Sequence, residues 1–172
     1  MSIFKQLTPL ALVLALSANI AYSADSPPWQ GSWRYSGGAQ EDSARAKTIE
    51  TATEDLSFLY RGKARDRLTE RLTPAPRMSL TQTGDEVTLQ RSGTSIALKL
   101  GGPPIRKSGE NGGGSLSARL SGDALVLLAK GEKGRRTTTF KRKGDSLIVT
   151  VSLDVDIFDK PLTVQSTYTL VR

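Results

Sequence analysis

An antiparallel β-barrel with one helical insert is the fold class this sequence predicts, and three observations predict it. From Arg77 onward, apolar residues recur at every second position, the period of a half-buried strand. Clusters of Gly, Asp, Ser and Pro punctuate that pattern at roughly ten-residue spacing, as hairpin turns do. The three- and four-residue steps of a helix occur only between Gln40 and Leu72. A sheet of about nine strands normally curls closed or splits into two layers. The expected architecture is therefore a mainly β, up-and-down barrel of about nine strands, with the insert between strands 1 and 2.

Residues 1–23 read as a signal peptide. Lys5 charges the start, Leu7 to Ile20 is apolar, and Ala21-Tyr22-Ser23 carries small residues three apart, so a cut is expected after Ser23. The apolar run is short for a membrane span, so no transmembrane span is expected after cleavage, and the location is expected to be secreted or periplasmic. Residues 24–172 form one expected domain.

The first strand lies in Pro28 to Tyr35, where Trp29, Gly31, Trp33 and Tyr35 share a face and Gly37-Gly38 ends the run. In the insert, residues about 40–72, Ile49, Ala52, Leu56, Leu59, Tyr60, Ala64, Leu68 and Leu72 mark one helical face, and Gly62 is the expected break or kink. Thr73-Pro74-Ala75-Pro76 stops it. The strands that follow carry Met78–Gln82, Val87–Arg91, Ile96–Leu100, Leu116–Leu120, Ala124–Ala129, Arg135–Lys141, Leu147–Ile157 and Leu162–Leu170, with a short strand possible at Ile105-Arg106.

Composition removes whole classes of chemistry. The chain has no cysteine and no histidine. That excludes a disulfide framework, a Ser-His-Asp triad, a cysteine nucleophile, thiolate or imidazole zinc ligands and a proximal haem histidine. No catalytic, cofactor or metal residues are assigned, and an enzyme is not expected. Asp154, Asp156 and Asp159 alternate along a strand without the glycine-turned loop of an oxygen-ligand cation site.

Gly31-Ser32-Trp33 resembles the G-x-W of the calycin group, the lipocalins and fatty-acid-binding proteins. A helical pair between strands 1 and 2 resembles the lid of the latter, and Leu120–Val126 with Thr138–Val149 resembles their later strands. The resemblance implies a barrel that holds a small lipophilic ligand, while the leader sets the chain apart from the intracellular fatty-acid-binding proteins and points to a bacterial exported family. It also implies an Arg-x-Tyr on the last strand; Tyr168 is present, and Ser166 stands in the arginine's place. Calycins commonly lay a cation over the barrel-floor tryptophan, which makes Trp33 and Arg172 the expected barrel-closing pair.

The inner faces either fill with side chains or line a cavity. Trp33, Tyr35, Arg91, Arg136, Phe140 and Tyr168 are the candidate ligand-contacting residues, since an inward arginine fits an anionic ligand head. A second candidate is the basic hairpin of residues 130–144, with seven bases against Glu132, while the rest of residues 24–172 balances sixteen bases with sixteen acids. Lys133, Arg135, Arg136, Lys141, Arg142 and Lys143 would there meet an anionic envelope component, making the alternative a structural or interaction protein. No nucleic-acid partner is expected, since Phe140 is the only aromatic interleaved with these bases.

Overall fold

The computed structural model describes residues 26–107 and 113–171. Residues 1–23 and Arg172 lie outside them, so the leader, its cleavage point and the Trp33–Arg172 pair have no structural counterpart here. The elements are β1 (Gly31–Tyr35), α1 (Gly38–Thr53), α2 (Phe58–Leu72), β2 (Arg77–Thr83), β3 (Glu86–Arg91), β4 (Thr94–Lys99), β5 (Ile105–Lys107), β6 (Gly114–Ser121), β7 (Ala124–Gly131), β8 (Gly134–Lys143), β9 (Ser146–Val155) and β10 (Leu162–Leu170).

All ten strands belong to one antiparallel sheet ordered β4-β3-β2-β1-β10-β9-β8-β7-β6-β5. The last strand returns to the first, with Trp33 opposite Leu170 and Tyr35 opposite Tyr168. The two sheet edges, β4 and β5, meet only through a parallel bridge between Leu100 and Ala118, so the barrel is nearly closed. No helix among the described residues is long and apolar enough to cross a membrane.

Up-and-down connections divide the barrel into two ends. At one end, called the floor here, β1 begins and β10 finishes, beside the β2–β3, β6–β7 and β8–β9 turns. The other end, the mouth, carries the helices, which leave β1 after Tyr35 and return to β2 at Arg77. At this end β3 turns into β4 through Ser92 (φ 47°) and Gly93 (φ 76°). Positive φ at both central residues gives the turn a twist that matches its flanking strands, and it is glycine that takes the second position without strain.

The floor is a plug of tryptophan. Trp33 is 0% exposed and Trp29 1%, and the Trp33 indole N–H donates to the Trp29 carbonyl at 3.0 Å. That bond satisfies the one polar atom of a ring otherwise buried among apolar neighbours. Trp29 precedes β1 rather than lying in it, contrary to the expected strand from residue 28, because the chain turns there through Gln30 N–H to Pro27 carbonyl. Above the plug, Leu80, Val87, Leu125, Phe140 and Leu147 continue one core cluster. Each such buried side chain contributes about 1.5–3 kcal/mol.

The ten strands agree with the expected count of about nine, the short strand at Ile105-Arg106 being β5. Three sequence expectations need correction. The insert breaks at residues 54–57, not at Gly62, which sits inside α2. Thr53 Oγ1 donates back to the Ile49 carbonyl at 2.9 Å, and Arg61 donates to the carbonyls of Glu54 and Leu56. These side chains satisfy the backbone of the interruption, whereas Gly62 faces open space and disturbs no packing. Leu59 and Tyr60 are exposed rather than on the packed face, Leu59 by 82%, because α2 begins a new helical phase at Phe58. Finally, β9 ends at Val155, and Ile157 is exposed after a turn closed by Phe158 N–H to the Val155 carbonyl.

Candidate functional site

Two inward tyrosines and an inward serine meet a helix arginine at the mouth. Alternation along β10 turns Ser166 and Tyr168 inward, and alternation along β1 turns Tyr35 the same way. The Tyr35 and Tyr168 rings meet edge to face, 5.7 Å between centroids. Over them lies Arg45 from α1, only 8% exposed. Its guanidinium donates to Asp42 Oδ1 at 2.7 Å, to the Tyr35 hydroxyl at 3.2 Å and to Ser166 Oγ at 3.4 Å. The Tyr35 hydroxyl in turn donates to Asp42 at 2.8 Å.

This network fixes α1 to the barrel. Burial works against the Arg45 charge, but hydrogen bonds with Asp42 and Tyr35 outweigh it, and its pKa rises. The same guanidinium, with the Tyr35 hydroxyl, holds the Asp42 carboxyl below its ordinary value. The residue before Asp42, Glu41, accepts from the Thr167 backbone N–H at 2.9 Å and from the Thr167 hydroxyl. The Arg45 Nε is buried without a partner.

A second group of bases faces the opening without such compensation. Arg136, near the start of β8, is on the inner face, opposite Ala129 and Leu153. Its Nη1 donates to the carbonyl of Arg71, near the end of α2, at 3.3 Å. Burial, then the neighbouring charges of Arg91 and Arg71, lower its pKa to about 10. Arg91 ends β3 opposite Met78 on the same inner face. None of Arg71, Arg91 and Arg136 forms an ion pair among the described residues. Burial also pushes the nearby Tyr168 phenol up to about 12. Chemically, the mouth offers the guanidiniums of Arg45, Arg91 and Arg136 and two phenols above the apolar core cluster.

The structure brings Tyr35, Tyr168, Arg91 and Arg136 to this end. It places Phe140 deep in the barrel wall and Trp33 in the floor plug. Neither Arg45 nor Arg71 is among the candidate residues of the sequence, where Arg71 reads only as part of the basic end of the helical insert. Arg45 did leave a signal: it stands four residues before Ile49 on the packed face of α1, where a lone base needs a reason.

Residues 130–144 span the end of β7, the β7–β8 turn and β8, with Lys130 opposite Arg135 across the hairpin. The period of two sends Arg136 and Arg142 to the inner face while Arg135, Lys141 and Lys143 face outward. Three of the bases are matched with acids: Arg135 to Asp154 at 2.7 Å, Lys141 to Asp123 at 3.4 Å and Arg142 to Asp145 at 4.0 Å. Lys133 lies in the β7–β8 turn. Among the described residues, no group of three or more carboxylates is arranged to hold a metal ion.

No protein-family model and no curated protein sequence matches this chain. Solved structures do match its fold. Secretory abundant heat soluble protein 4 from Ramazzottius varieornatus aligns with a TM-score of 0.56 and 14% identity, over 85% of this chain and 96% of that one. A Schistosoma mansoni fatty acid binding protein in complex with arachidonic acid gives 0.54 and 14%, over 84% and 97%. Human cRBP IV, a cellular retinol-binding protein, gives 0.50 and 16%, over 83% and 97%. All are calycin-like β-barrels, and so is the fold of this chain.

Proposed function

We propose that this protein binds a small lipophilic molecule carrying an anionic head, with the head at the mouth and the apolar part directed into the barrel. One observation carries the reading: Arg136 is held on the inner face beside Arg91 and Arg71, its charge disfavoured by burial and by both neighbours, with no carboxylate paired to it among the described residues. A half-buried guanidinium in that setting gains a charge-assisted, bidentate partner when a carboxylate, sulfonate or phosphate arrives. The solved barrels of the same fold include a fatty acid binding protein with arachidonic acid bound, which supports a lipophilic ligand of this class. Without histidine or cysteine in the chain, the reading is of a binder and not an enzyme. The apolar leader in residues 1–23 supports an exported setting for it.

The test is displacement of anilinonaphthalene sulfonate from the purified protein. A long-chain fatty acid is expected to displace the probe at least about tenfold more tightly than the alcohol of equal chain length, and Arg136→Leu to erase that difference. If acid and alcohol compete equally in the unaltered protein, the head-group site is wrong. If neither competes, the lipophilic ligand itself is wrong.

A further inference from the structure

We infer that the outer face of the barrel carries a second site for an acidic glycan, in a groove across β1–β4 whose lining also reaches Arg91. The groove has a volume of about 570 Å³. Register explains its shape. Ser32, Ser79, Gln90 and Ser95 fall in one cross-strand row on the outer face, so four adjacent strands present short polar side chains side by side. Val171 continues the row beyond β10, its N–H bonded to the Ser32 carbonyl at 2.8 Å. Ser79 already donates to Gln90 Oε1 at 3.1 Å, so the hydroxyls and the amide lie within reach of one another.

The second, independent observation is electrostatic. One row nearer the mouth, Arg34 and Arg77 stand directly opposite each other on β1 and β2. Arg77 also lines the groove. Like charges at directly opposed positions are unfavourable. Neither arginine forms an ion pair among the described residues, and the carboxylate of Glu41 is engaged by Thr167. An opposed pair of free guanidiniums is a fork for one anionic group. A row of hydroxyl and amide groups alongside it offers donors and acceptors to sugar hydroxyls. A hydroxyl-rich chain with carboxylates spaced along it fits both. No aromatic side chain is exposed in the groove, which disfavours a nucleic acid, whose bases would need stacking surfaces.

Calorimetric titration of the whole protein with a size-defined oligogalacturonate, at low salt, tests this site. The unaltered protein is expected to bind it, and a neutral dextran fragment of equal length not to bind. The Arg34→Gln, Arg77→Gln double variant is expected to lose at least about tenfold in affinity. Ser95→Trp, which fills the groove and leaves the charge unchanged, is expected to lose binding as well. Arg136→Leu is expected to bind oligogalacturonate normally, which separates this site from the mouth. Normal binding by Ser95→Trp would overturn the proposal, and so would an oligodeoxythymidine of equal charge binding as tightly as the oligogalacturonate.

Discussion

The two ends of the barrel solve opposite problems. At the floor, Trp29 and Trp33 are fully buried, and the single polar atom of the Trp33 ring has its partner within the plug. At the mouth, the interior face collects Arg45, Arg91 and Arg136 with Tyr35 and Tyr168, and only the first arginine has a carboxylate. A fold optimised only for stability gains little from half-burying a guanidinium near two others, because desolvation and like charge both oppose it. The difference teaches where a ligand-binding proposal is best tested: the tryptophan plug has its polar atom satisfied, whereas Arg91 and Arg136 at the mouth have no carboxylate among the described residues.

The comparison can be broken most directly at the floor. Trp33→Ala is expected to lower unfolding stability by about 3–5 kcal/mol, read from the urea midpoint. A loss under about 1 kcal/mol would mean the plug is not structural.

The next effect belongs to the mouth and to alkaline pH. Burial holds the Tyr168 phenol up to about 12 in the folded chain, against about 10 when unfolded. The folded state therefore binds that proton more tightly. Its contribution is complete below pH 10 and is lost as pH rises to about 12, on the order of 2–3 kcal/mol. Arg136 runs the other way in the same window, since losing its disfavoured charge relieves the fold. Tyrosinate absorbance, followed with stability, is expected to show the late ionisation in the parent and its absence in Tyr168→Phe. Arg136→Leu is expected to steepen the alkaline loss.

The smallest effect sharpens the contrast. At neutral pH, Arg136→Leu is expected to raise stability by about 1 kcal/mol, because an apolar group of similar reach replaces an uncompensated cation. Thermal unfolding reads it. A clear destabilisation would place Arg136 with the floor residues, as part of the scaffold.

Much of the scaffold was legible because it follows from local pattern. Leu147, Val149, Val151 and Leu153 alternate with Ile148, Thr150, Ser152 and Asp154, and that period fixes β9 and the face it buries. The return of Tyr168 and Leu170 to Tyr35 and Trp33 follows from strand number and short connections. Other features were not local. The α1–α2 break is set by Arg61 reaching across to the carbonyls of Glu54 and Leu56, which no propensity at Gly62 reveals. The period of two already marked Arg136 as inward among the adjacent bases of β8, but which of the others meet Asp154, Asp123 and Asp145 is decided by strand pairing and turns.

Sequence by itself determined the barrel, its helical insert and the chemistry that cannot occur here, because periodicity and composition act residue by residue. Tertiary structure alone decided which charges meet. Arg45 is 121 residues from Ser166 and Arg136 is 65 from Arg71, and electrostatic energy depends on distance in space and on the water removed between charges, neither of which is written in chain order.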